Sequence, residues 1–428
     1  MILKLPFFGD RLIPRKAFVA AFLLKFLAGV LLWAIYSFHY PMKGHTDAFN
    51  YYDEAMVLHN ALYEEPVAYL DLLLGTEFKP KAAERYIAGI NHWKKPYNYG
   101  VINDNRTVIR ANMICRLVSF GYYHVHTAIF CFVSFIGMMA LFKAFVRFLP
   151  GFRYGIFLAA FLIPSVVFWG SGVLKEGILL FGAGCFVFHV VRLFEDRRCW
   201  SLPPLLLFGF LLVGIKTYVL LAMLPGLFVY ILLHLFRKRH SVLTFIGAHL
   251  LLGFIALRLP HWGIPYNIPY MLQLKQKDFY NVARMHDAGS VIQAPAIDRP
   301  FDILLEAPHA LWNALFRPHL FEMEKWLYLP PAMENLFLLL GGAIALFFWR
   351  VPPRQLRPFY CWSLSFILIL GSVIGLTTPV LGAIIRYQVP ILPFYTFVVL
   401  ASIDEERWKK AVLKVRRSVG FGAYGKAN

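Results

Sequence analysis

Residues 17–38 read AFVAAFLLKFLAGVLLWAIYSF, an apolar run interrupted only by Lys25 and Ser37. A helix needs ~20 such residues to cross the hydrocarbon of a bilayer, so this stretch predicts a membrane span. Lys4, Arg11, Arg15 and Lys16 lie on its amino-terminal side, and basic flanks stay cytoplasmic, so the far end opens outward. Its apolar region is longer than the core of a cleaved signal and no small-x-small site follows it, which predicts a retained first helix. Just beyond it, residues 45–55 read HTDAFNYYDEA and place Asp47, Asp53 and Glu54 beside Tyr51 and Tyr52. Chemistry is expected where this span leaves the membrane.

The whole chain has the same character. Of 428 residues, 59% are hydrophobic, 17% aromatic and only 16% charged, which excludes a soluble globule with a charged surface and predicts a polytopic all-α membrane protein. A net charge of +19 raises the question of nucleic acid, and its distribution argues against it. Segments 39–122 and 261–331 hold sixteen of the twenty-four acids and are near neutral. The excess basic charge sits in short clusters between apolar runs: Arg147/Arg153, Arg192/Arg197/Arg198, Arg237/Lys238/Arg239, Arg350/Arg354/Arg357 and Arg407 to Arg417. Short basic loops mark the cytoplasmic side.

Ten candidate spans follow, at 17–38, 123–146, 154–171, 173–194, 203–215, 218–236, 241–259, 332–349, 358–376 and 389–402. They place both termini and all five clusters in the cytoplasm, with two long outer loops at 39–122 and 261–331. The fifth and sixth are separated by parity: the flanking clusters are both basic, so the chain crosses twice and turns outside at Lys216. The expectation is one integral membrane domain over 1–428. Residues 107–120 suit an interfacial helix in the first loop, and the Pro-rich second loop suits irregular structure with short helices. Neither an internal repeat nor a Cys/His metal spacing is present.

Several ionisable residues fall near the outer ends of spans, where an apolar setting makes charge expensive: Lys175 and Glu176, Lys216, Glu334 and Arg386. Three cations facing an acidic loop suggest a site for an anionic lipid headgroup, with Arg386, Lys216 and Lys175 as phosphate ligands. Arg386 stands first among them because a guanidinium holds phosphate through two parallel hydrogen bonds. The plainer alternatives are that Lys216 or Arg386 snorkels to the headgroups and that Lys175 and Glu176 cap a tight turn.

Within the acidic cluster Asp47 is the leading general base, since its aromatic setting is expected to raise its pKa. Asp53 and Glu54 complete the catalytic candidates. On a helix they turn away from Asp47 or lie back over it, which leaves ordinary surface as the reading for at least one. The outer histidines show no metal-binding spacing, and His45 is a lesser candidate for assisting the site. Asp47 with Asp53 or Glu54 offers carboxylates to a divalent cation such as Mg or Mn, without a fixed spacing that would specify one.

DxxxY over Asp47 to Tyr51, long outer loops, and RYxxPxxPF over Arg386 to Phe394 together resemble the GT-C superfamily of integral membrane glycosyltransferases. The likeness is greatest to its bacterial dolichyl-phosphate-mannose-mannosyltransferase-like and aminoarabinose-transferase-like branch. It implies transfer of a sugar from a polyprenyl-phosphate carrier to a glycan, lipid or protein acceptor at the outer face of the cytoplasmic membrane. It also implies that Asp47 serves as base or acceptor-binding carboxylate and that Arg386 lies near the carrier phosphate. The usual Asp-Glu pair is here Asp47-Ala48, with the doublet displaced to 53–54. Tyr51, Glu176, Arg110, Arg317 and Tyr387 are the expected substrate contacts. A polysaccharide polymerase or O-antigen ligase would depend on Arg110, Arg317 and Arg386 instead. A lipid or polysaccharide transporter would carry charges deep in several spans, where this sequence has only Lys25.

Overall fold

The computed structural model describes residues 1–39, 46–78, 80–94, 103–235, 240–264, 266–285, 290–322 and 326–418. His45 and the basic cluster at 237–239 lie outside these. The described residues are helical, with no strand. The first helices are α1 (Arg15–Phe38), α2 (Asp47–His59), α3 (Ala61–Glu64), α4 (Pro66–Leu74), α5 (Pro80–Ile87), α6 (Asn91–Lys94) and α7 (Asn105–Ser119). There follow α8 (Tyr123–Phe148), α9 (Arg153–Phe161), α10 (Pro164–Trp169), α11 (Lys175–Phe194), α12 (Leu202–Leu235) and α13 (Ser241–Arg258). The remainder are α14 (Ile268–Met285), α15 (Asp302–Phe316), α16 (Leu329–Phe347), α17 (Arg357–Thr377), α18 (Leu381–Tyr387), α19 (Leu392–Ser402) and α20 (Glu405–Ser418).

Seven helices, built on α1, α8, α11, α12, α13, α16 and α17, are long and apolar enough to cross a membrane, which makes this a multi-pass membrane protein. Four of the expected spans take another form. Residues 154–171 make two short helices, because Pro164 drives Ile163 into the extended region (φ −62°, ψ 120°) and stops the helix before it. The described residues of segments 203–215 and 218–236 belong to the single 34-residue run of α12, broken only at Lys216 (φ −153°, ψ 83°). The last span begins at Leu392 rather than 389, and α18 and α19 meet at a 65° bend across a turn that contains Pro390.

The helices pack as two compact units, Met1–Leu224 with Ile385–Leu392, and Pro225–Ile384 with Pro393–Asn428. In the first, α8 and α11 run against each other at glycines: a Cβ added at Gly184 would lie 2.0 Å from the Gly137 carbonyl oxygen. Only glycine permits that approach, the small-residue packing that joins helices in lipid. Phe18 of α1 wedges edge-on against Phe142, Phe157 and Phe161, fastening α1 to α8 and α9. In the second unit α15 and α17 close in the same way, with Gly375 against the Ala310 backbone, while α13 fully buries only Ala248 among its residues.

Candidate active site

The first unit carries the candidate site, and α2 opens it. Ala48, Tyr51, Ala55 and Leu58 recur at helical spacing and are fully or almost fully buried, giving α2 one apolar face. That face packs on α7, where the Tyr51 hydroxyl donates to Asn105 Oδ1 at 3.0 Å. Asp47 is the first residue of the helix, where the unpaired N–H groups favour a negative charge. Glu176 is the second residue of α11, also in the first turn, and is completely buried.

Arg386, in the last turn of α18, joins these two helix starts. Its Nη1 donates to Asp47 Oδ2 at 2.7 Å, and its Nε lies 2.8 Å from Glu176 Oε1 as an ion pair. Lys216 donates to the same Glu176 Oε1 at 2.9 Å from the break in α12, and lies 4.4 Å from the Tyr387 ring centroid. The Thr107 hydroxyl donates to the Gly214 carbonyl at 2.7 Å, supplying a partner within the helix just ahead of that break. Lys175 pairs with Asp104 at 2.6 Å and lies over the Tyr51 ring, while Trp169 lies beneath the Arg386 guanidinium.

Three carboxylates (Asp47, Asp104, Glu176) thus meet three cations (Lys175, Lys216, Arg386), and the cluster sums to zero charge. Burial of the acids alone would be prohibitive, and pairing is what makes the arrangement tolerable. The Asp47 carboxyl is the open edge: its side chain is 40% exposed, against 15% for Arg386 and 0% for Glu176. Burial pushes the Asp47 carboxyl up, but Arg386 and Lys175 outweigh it and hold the group below its ordinary value of 3.8. This corrects the expectation of a raised pKa, because two cations overrule the aromatic setting. Burial and the Asp47 charge push the Tyr51 phenol well above its usual range, so it stays a donor.

The other expected residues have different partners. Glu54 lies two turns beyond Asp47, roughly 10 Å along the axis, and accepts from the His92 backbone N–H at 3.0 Å while its Oε1 lies 2.8 Å from the ring Nδ1. Asp53 is exposed, with its carboxyl pushed up by what burial it has. Arg110 donates to the Leu72 carbonyl at 2.9 Å and stacks on Trp93, serving the carbonyl end of α4. Arg317, in the second unit, pairs through Nε with Glu322 Oε2 at 3.1 Å. The sequence reading missed Asp104, Asn105, Thr107 and Trp169. Trp169 was the most visible of them, lying in FWGSG just before the Lys175-Glu176 pair.

Among the described residues no group of three or more His, Cys, Asp or Glu side chains gathers as a metal site, and Asp47, Asp104 and Glu176 each face a basic group. Comparison with family models, curated proteins and solved structures finds no match.

Proposed function

We propose that this protein is a membrane glycosyltransferase of the GT-C type, moving a sugar from a polyprenyl-phosphate carrier to an acceptor at the outer face of the cytoplasmic membrane. The observation that carries this reading is Arg386 held between Asp47 and Glu176, with Lys216 on the same carboxylate. A phosphate leaving group needs fixed cations where its charge develops, and the acceptor hydroxyl needs a carboxylate within reach. In the reaction the acceptor oxygen bonds to the anomeric carbon as its proton passes to Asp47. The bond from that carbon to the phosphate oxygen breaks, and its electron pair leaves with the polyprenyl phosphate beside Arg386. A single displacement of this kind inverts the anomeric centre.

The same reading takes ten crossings with both termini cytoplasmic. The seven long helices supply seven, α18 with α19 an eighth, α9 with α10 a ninth, and division of α12 at Lys216 the tenth. The test is transfer in proteoliposomes from a polyprenyl-phosphate sugar compared with a nucleotide sugar. We expect product from the lipid-linked donor alone. Use of the nucleotide donor alone would overturn the assignment, since an outward-facing site does not meet cytoplasmic nucleotide sugars.

A further inference from the structure

Arg386 has two carboxylate partners that differ in one decisive respect. Glu176 is enclosed at the head of α11, and its Oε1 is shared with Lys216, so no incoming group reaches it without dismantling two ion pairs. Asp47 is 40% exposed and touches a different nitrogen, Nη1. The backbone beneath it is fixed independently, because Ala48 packs with Leu32 and Leu174 and the Tyr51 hydroxyl ties α2 to Asn105 of α7, so the carboxylate can swing off Arg386 by side-chain rotation alone. The charge balance adds a reason for it to move. The cluster is already neutral, and an added phosphate would leave excess negative charge unless one carboxylate withdrew toward water.

We infer that Asp47 is the exchangeable occupant of a phosphate position on Arg386: a polyprenyl phosphate takes the Nη1 contact and thereby frees Asp47 to act as base, while Glu176 remains as the anchor. This rests on the glycosyltransferase reading and adds an order of events to it. While paired with Arg386 the carboxylate is a poor proton acceptor, since the neighbouring cation favours its ionised form. Donor binding removes that cation from it and restores its basicity, so the acceptor is deprotonated only when a donor is present. Glu176 is then a positioning residue, acting through Arg386 and Lys216.

Farnesyl phosphate, a short polyprenyl monophosphate, serves as the probe on the full chain in detergent micelles, with farnesol as the phosphate-free control. An internal competitor lowers the apparent affinity by the fraction of time it occupies the site, so removing it raises affinity. For an ion pair of this exposure the expected gain is roughly two- to fivefold in Asp47→Asn, with a similar gain in Asp47→Ala and none for farnesol. Both variants should at the same time lose sugar transfer. Unchanged or weakened farnesyl phosphate binding in both variants would overturn the exchange. The two ideas fail separately. Tightened binding with no transfer from any lipid-linked sugar in the wild type leaves the exchange standing and removes the glycosyltransferase reading. Transfer by the wild type with no Asp47 effect on affinity does the reverse.

Discussion

Arg386 and Arg317 were both expected to meet substrate, and their side chains are similarly accessible, at 15% and 21%. Their partners separate them. Arg317 pairs with Glu322, five residues on in the same irregular segment, and that carboxylate is itself 25% exposed. Arg386 pairs with Asp47, 339 residues away in sequence, and with a Glu176 that is wholly enclosed. A local, solvated pair costs little to form and contributes little. A cation drawn between two helix starts, with a second cation on the same buried carboxylate, carries a large desolvation cost that only an accurate geometry offsets. The exposure of an arginine therefore says less about its role than the burial of what it holds.

The largest effect expected from that difference is on turnover. Arg386→Ala removes the only planar donor in the cluster and should lower sugar transfer by on the order of 10³, while Arg386→Lys, which keeps charge but loses the fork, should lower it by about 10². Initial rates in proteoliposomes decide it. If Lys restored full activity, Arg386 would be reaching for headgroups, since any long cation does that equally well.

How much of this was readable without the fold depends on the range of the interaction. The seven long helices follow from long, nearly continuous apolar runs, a local property, and Arg386, Lys216 and Asp47 were visible as charges where charge is costly. The breaks were harder to see. Pro164 ends α9 through the backbone of a single residue, Ile163, against a hydropathy signal that runs on unchanged. The raised pKa expected for Asp47 failed because the neighbours in sequence are aromatic and the neighbours in space are cations from α11 and α18. Asp104 gave no signal at all in the polar run NDN, since its role depends on Lys175 arriving from another helix.

A middle-sized effect is expected on stability. Glu176→Gln leaves Arg386 and Lys216 without their shared negative charge and takes the cluster from neutral to +1. Removing one partner of a buried ion pair costs roughly 3–5 kcal/mol, so the purified variant should unfold at a clearly lower temperature in a detergent thermal scan. Glu176→Asp keeps the charge and should recover part of the loss. A Glu176→Gln protein as stable as the wild type would mean that the carboxylate is not the anchor of Arg386, and the contrast with Arg317 would collapse.

The smallest effect belongs to Arg317 and is where the comparison is sharpest. Burial pushes the Glu322 carboxyl up, but the Arg317 hydrogen bond and the His319 backbone N–H outweigh it and hold the group below its ordinary value of 4.5. A carboxylate depressed in the folded state contributes its stability above the unfolded pKa, and that contribution is lost as pH falls through the folded value. Arg317→Ala should therefore cost about 0.5–1 kcal/mol near neutrality, as usual for a partly exposed pair, and the gap from wild type should close as the pH is taken below the carboxylate range. Transfer by the variant should stay within about twofold of wild type, because the pair is a local clasp. A loss of turnover comparable to that of Arg386→Ala, with the pH dependence of stability unmoved, would instead make Arg317 part of the substrate site and favour the polymerase, whose chemistry depends on outer arginines.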